Sequence, residues 1–230
     1  MPPGCLAALI LLGLLFMVPF FFTHAMLTAL ARLGLSPDTA LLALIGIFLG
    51  GAVNIPVKRV EREEDLEYDP FRIFGLDRIL PSGWPLPFRR TVRSHMVIAV
   101  NLGGCLIPSA IALYEITRVA AQGTYALSVL VVLTGVNILV CYLVARPIPN
   151  VGIAMPPLVP VLVAVLPSLV FVPGFAPPVA FTAGVLGPLI GADLLHLKDI
   201  SRMQTGILSI GGAGTFDGIV LSGMFAALLA

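Results

Sequence analysis

The run YALSVLVVLTGVNILVCYLVA, from Tyr125 to Ala145, holds 21 residues and not one charge. As a helix rising 1.5 Å per residue it reaches about 32 Å, and the hydrocarbon core of a bilayer is about 30 Å thick. It reads as a membrane-crossing helix, and the rest of the chain has the same character. Of 230 residues, 58% are hydrophobic and 11% charged, with mean hydropathy +1.05, whereas a soluble domain carries about 25% charged residues. A soluble enzyme is excluded. The formal charge of +1 and a pI near 7.8 offer no basic field for nucleic acid, and aromatic residues are not interleaved with arginines as a base-stacking surface requires. Cys5, Cys105 and Cys141 sit in apolar runs without C-x-x-C spacing, so they read as small core residues. No His or Cys set has metal-ligand spacing, so neither a metal nor a cofactor is expected.

Six further runs approach the length of about 17 to 25 residues that a crossing needs. With the first they are Cys5 to Thr28, Thr39 to Ile55, His95 to Tyr114, Tyr125 to Ala145, Pro157 to Val172, Pro178 to Leu195 and Thr205 to Ala230. The fifth is interrupted by Pro160 and Pro167 and follows Pro156-Pro157, which suits a kinked or re-entrant segment. Residues 5 to 22 also fit a signal peptide cleaved near Thr23-His24-Ala25, although no Lys or Arg precedes them. Basic residues give the orientation, because cytoplasmic loops collect them. Eight lie between Pro56 and Ser94; with Arg146, Lys198 and Arg202 eleven fall on one side, and Arg32 and Arg118 on the other. The expected fold is an all-α polytopic membrane protein of about seven transmembrane helices. It forms a single domain over residues 1–230, N-in and C-out, with one cytoplasmic loop at 56–94. That loop of about 39 residues combines the acidic run Glu61 to Glu67 with turn signals at Asp69-Pro70, Pro81-Ser82-Gly83 and Pro85-Leu86-Pro87, and reads as a solvated loop or docking element. Phe71, Ile73, Phe74, Leu76, Ile79, Trp84 and Phe88 suit a membrane interface.

Three acids fall within or at the edge of the apolar runs, where a carboxylate costs about 2.5–3.5 kcal/mol at the membrane centre. Glu115 has Arg118 at i, i+3, and an ion pair accounts for it. Asp193 follows Gly187-Pro188-Leu189-Ile190-Gly191-Ala192, and Asp217 follows Gly211-Gly212-Ala213-Gly214-Thr215-Phe216. Backbone freed by glycines at membrane depth survives where it lines protein or water, so a wet pocket is implied. The two runs are consecutive and antiparallel, which lets the carboxyls meet. In a continuous seventh helix Asp217 would lie roughly 18 Å deep. Unwinding of Ser209 to Gly214, with the helix restarting near Thr215, would instead bring it to the cytoplasmic end and its favourable dipole. Paired carboxyls of this kind perform aspartyl hydrolysis, one activating water and its protonated partner polarising the scissile carbonyl.

Packing competes with chemistry for these glycines. Gly214-x-x-x-Gly218, Gly187-x-x-x-Gly191 and Gly46-x-x-x-Gly50 suit close helix contact, and Asp193 can pair Lys198 or cap a turn. His196, three residues beyond Asp193, is a candidate to tune it. A second cluster, Asn101, Gly103 and Gly104 with Asn54, is a candidate to bind substrate backbone or an ion, or to bridge helices.

The combination Asn54-Ile55-Pro56, Val100-Asn101-Leu102-Gly103-Gly104, Gly191-Ala192-Asp193-Leu194 and Gly211 to Gly218 resembles a family of prokaryotic multi-pass membrane proteins defined as domain of unknown function 1614, over nearly the whole chain. That resemblance implies a prokaryotic cytoplasmic membrane, but no activity. The last fifth, Gly212-Ala213-Gly214 with Asp217 and the tail Ile219 to Leu229, resembles the G-x-G-D motif of intramembrane aspartyl proteases, the group of signal peptide peptidase, presenilin and prepilin peptidase. There the motif aspartate lies one span after its partner, which implies catalytic Asp193 and Asp217 supported by Gly191, Gly212, Gly214, Gly218 and His196. Thr215-Phe216 are inserted before the aspartate, Ala192 stands where a Tyr is common, and no Pro-Ala-Leu motif is present. The expected function is cleavage or binding of transmembrane peptides. The alternatives are a proton- or cation-coupled transporter with Asn101 on its route, and a scaffold acting through residues 56–94. The bilayer is the one partner all three share.

Overall fold

The computed structural model describes residues 3–68, 88–148, 152–197 and 207–230. Helix α1 (Pro3–Arg32) runs unbroken through Thr23-His24-Ala25, with Pro19 inside it. Helix α2 (Pro37–Gly50) starts where the Ser36 hydroxyl accepts the Thr39 N–H and proline takes the first turn, a position where the missing N–H loses nothing. Then come β1 (Asn54–Tyr68) and β2 (Phe88–Asn101). Helix α3 (Leu102–Ala121) and α4 (Thr124–Val144) are followed by the short strands β3 (Arg146–Ile148) and β4 (Gly152–Ala154). Helix α5 (Leu158–Phe171), α6 (Pro173–Leu194), strand β5 (Ile207–Ile210) and α7 (Gly218–Leu229) complete the chain.

Among the described residues α3, α4 and α6 are long and apolar enough to cross a membrane, while α2, α5 and α7 are shorter apolar helices. The outward-facing side chains agree. Leu42, Leu143 and Val170 are each 70–72% exposed, which suits lipid as their solvent and would be an aggregation liability in water. This is a helical membrane protein.

Helix α6 is central, packed against α3, α4, α5 and α7. Its apolar window is 72% buried, against 33% for α3 and 22% for α4. The largest buried cluster joins α1, α2, α3, α6 and α7 through Leu30, Leu33, Ile47, Ala112, Phe181, Val185 and Ile219. At the end where α3 meets the α1–α2 turn, Glu115 is fully buried and held by Arg118 at 3.0 Å. Arg118 also donates to the Leu33 carbonyl and lies over the rings of Tyr114 and Phe175. The i, i+3 ion pair is thus present, with the carboxylate buried and the guanidinium part-exposed.

Two expectations need correction. The fold is not all-α, because β1 and β2 form an antiparallel hairpin in register from Asn54↔Asn101 to Tyr68↔Phe88, and β5 adds parallel to β2. Residues 56–68 and 88–94 are therefore paired strands rather than an irregular loop; the acidic stretch lies opposite the basic one, as in Glu63↔Arg93 and Glu67↔Arg89. The interfacial set from Phe71 to Trp84 lies outside the described residues. The run from His95 is likewise strand up to Asn101, and the helix begins at Leu102. A short apolar run fits a strand or a helix equally well by periodicity. Here Val97 to Val100 take partners on both sides, from β1 and β5, and the Asn101 side chain then caps the helix by accepting the Gly104 N–H.

Candidate active site

Asp193 lies in the last segment of α6, Gly187–Leu194, which winds as a π-helix. The cause is local. Pro188 has no N–H to give the Gly184 carbonyl, and that carbonyl instead accepts the Ser222 hydroxyl of α7. Widening the helix brings Gly191 onto α4, where any side chain would collide with the Ile138 carbonyl and Cys141. Asn137 of α4, itself fully buried, donates to Ala183 O at 2.8 Å and Pro160 O at 3.1 Å, tying α4, α5 and α6 together. Buried His196 places Nδ1 3.0 Å from Ala192 O and 3.2 Å from Gly191 O, with its ring 4.8 Å from that of Tyr142. Both partners only accept, so Nδ1 carries the hydrogen. His196 thereby fixes the peptide that leads into Asp193. Lys198 lies outside the described residues.

Asp217 follows an unwound segment, as its glycines predict. After β5 the chain turns through Gly211 and Gly214 at φ 71° and 61°, where a Cβ would be strained, and makes one 3-10 turn, Gly214–Phe216. The helix restarts at Gly218 rather than near Thr215, because Asp217 is its N-cap. Its Oδ1 accepts the Ile219 N–H at 3.0 Å and its Oδ2 the Ala213 N–H at 3.3 Å. Both oxygens are oriented by backbone, at the positive end of a helix.

The two aspartates open onto the same space. Asp193 and Asp217 line a single cavity of about 410 Å³, together with Ile153, Ala154, Met155, Pro157, Pro188, Phe216 and Gly218. Gly218 has open space where a Cβ would stand. Phe216 is 67% exposed and stacks on Phe22 of α1 with ring centroids 5.3 Å apart. Sequence reasoning missed the wall formed by Ile153 to Pro157 and Phe216. The available signal is Pro156-Pro157, which in the sequence suits a break in a span equally well.

The remaining candidates sit elsewhere. Asn54, Asn101, Gly103 and Gly104 do not line this cavity. Fully buried Asn101 gives its amide hydrogens to Gly51 O at 2.8 Å and Asn54 Oδ1 at 3.0 Å, and its Oδ1 accepts the Gly104 N–H at 2.7 Å. No N–H remains for a substrate. Asn54 Oδ1 also accepts the Ser209 hydroxyl, so one small network joins α2, β1, β2 and β5. A side chain on Gly103 would strike Ile47 O, and one on Gly104 would strike Gly211 O. Gly214 packs on Gly51, and Gly212 on Ser209. Gly214 lies outside any α-helix, so Gly214-x-x-x-Gly218 is not a helix-packing pair, whereas Gly46 and Gly50 pack on Ile107 and Gly103. Cys105 and Cys141 are buried free thiols.

A family profile described as protein of unknown function (DUF1614) matches residues 48–229. The chain belongs to that family. The matched region takes in both aspartates, the cavity wall and the whole Asn101 junction. No curated protein and no solved structure matches the chain. Among the described residues no group of three or more His, Cys, Asp or Glu is arranged to hold a metal ion.

Proposed function

We propose that this protein is an intramembrane aspartyl protease that hydrolyses transmembrane peptides with Asp193 and Asp217. The observation that carries the reading is that two carboxyls, one from a π-helical helix end and one from the N-cap after an unwound turn, line one cavity. In the reaction one carboxylate takes a proton from water, while the protonated partner donates to the oxygen of the scissile carbonyl. The hydroxyl adds to the carbonyl carbon. Collapse of the tetrahedral species breaks the C–N bond, with the nitrogen taking back a proton. No cofactor is required.

In this reading the chain crosses the cytoplasmic membrane of a prokaryote seven times, N-in and C-out, by the basic residues that flank the spans. The C-terminal ends of α2, α4 and α6 then meet the N-terminal ends of α3, α5 and α7 on the cytoplasmic side. Helices α2 and α5 have 14 residues and α7 has 12, so they reach only about 18–21 Å of the roughly 30 Å core. Their missing turns recess the aspartates beneath the cytoplasmic face, where water and an unwound peptide can both arrive. The test is cleavage of fluorogenic single-span peptides by the purified protein in proteoliposomes, compared with Asp193→Asn and Asp217→Asn. Each substitution keeps the side-chain shape and abolishes turnover. Cleavage that persists in either variant rejects the mechanism.

A further inference from the structure

Strand β4 forms part of the cavity wall. It pairs antiparallel with β3 as Arg146↔Ala154, Pro147↔Ile153 and Ile148↔Gly152. Antiparallel pairs alternate between those that exchange both N–H···O bonds and those that exchange none. Pro147 has no N–H, so the middle pair cannot be the exchanging kind; Arg146↔Ala154 and Ile148↔Gly152 must be. The N–H and C=O of Ile153 therefore point away from β3. On that side, among the described residues, no strand stands, since β3 and β4 form a sheet of two. Ile153, Ala154 and Met155 line the same cavity as Asp193 and Asp217.

Backbone groups at a recessed site in a membrane protein are met by water or by another polar partner. The ligand that matches a single outward N–H and C=O is another backbone in extended form, adding at the edge with its side chains alternating between two sides. The walls suit such a chain: Ile153, Met155 and Pro157 along β4 and the segment after it, and Phe216, Ile219 and Leu221 along the turn before α7 and its first turn, are apolar, as the residues of a membrane segment would be. We infer that β4 is the docking strand for the substrate, with Ile153 N–H and C=O pairing one residue of an unwound, extended apolar segment and thereby laying its scissile bond beside the two aspartates. This deepens the protease reading and rests on it for the identity of the ligand.

Binding is measured on the full chain carrying Asp193→Asn and Asp217→Asn, so docking is read without cleavage. The probe is a dansylated heptapeptide of alternating Val and Ala. Saturable binding is expected, with slowed hydrogen exchange at the Ile153 amide. Ile153→Pro removes the outward N–H together with the Ile side chain, and proline is accepted at an edge where its nitrogen faces away from the ladder; binding should weaken about tenfold, the worth of one buried hydrogen bond, beyond any loss in Ile153→Ala, which trims the side chain and keeps the N–H, while Ile153→Val binds as the parent does. A heptapeptide N-methylated at every residue provides a test that leaves the protein unaltered, and it should lose binding. Absence of saturable binding, undiminished binding of the methylated heptapeptide, or unchanged binding in a folded Ile153→Pro protein overturns the inference. Docking in the variant without cleavage by the parent protein would instead remove the hydrolysis and leave the docking strand standing.

Discussion

Replacing Asn101 by Ala separates a structural junction from a substrate contact. Asn101 is fully buried and makes three hydrogen bonds, to Gly51 O, Asn54 Oδ1 and the Gly104 N–H, at 2.7–3.0 Å. At about 1 kcal/mol net for each bond, the loss is about 3 kcal/mol, and the Gly104 amide left without its cap keeps the figure from being smaller. That is more than a hundredfold in the unfolding equilibrium, since about 1.4 kcal/mol is tenfold. The assay is reversible unfolding in mixed micelles titrated with dodecyl sulfate, followed by far-ultraviolet circular dichroism. Asn101→Asp sharpens it: the carboxyl still accepts from Gly104, but it sets oxygen against oxygen at Gly51 and Asn54, so it should destabilise at least as much as Ala. An Asn101→Ala protein within about 0.5 kcal/mol of the parent, well below one such bond, would refute the role assigned to the junction.

Glycine positions should divide sharply: Gly104→Ala, which meets the Gly211 backbone, is expected to prevent stable folding, whereas Gly218→Ala, with open space around it, should gain up to about 1 kcal/mol from helix propensity, as read in the same unfolding assay. Arg118→Met leaves Glu115 buried without its partner and should cost about 3–5 kcal/mol, much of which Glu115→Leu in the same chain restores; a single variant as stable as the parent would contradict the pairing. At Asp217, Ala removes both the cap to Ile219 and the bond from Ala213 and should cost about 1–2 kcal/mol, while Asn keeps the cap. If both abolish peptide cleavage but differ in stability, the carboxyl acts in the reaction as well as in the cap.

The membrane class, the central helices and the two acids follow from local properties of the chain. Uninterrupted apolar length decides the solvent, as at Tyr125 to Ala145, and an i, i+3 spacing is enough to pair Glu115 with Arg118. The unwinding before Asp217 is equally local, because Gly211 and Gly214 adopt conformations that other residues resist. Other features depend on partners distant in sequence. Whether His95 to Asn101 is strand or helix was settled by β1 and β5, which supply hydrogen bonds on both sides. Gly104 is required because Gly211 arrives against it, and Asn101 is a junction because Gly51 and Asn54 fold beneath it. The wall of the cavity came from Ile153 to Pro157, residues without a charged or metal-binding side chain to announce them. Asp193 and Asp217 could be named from sequence because a carboxylate in an apolar run is costly in itself. That they share one cavity was decided by tertiary structure, which packs α7 against α6 and seats the Ser222 hydroxyl on the Gly184 carbonyl.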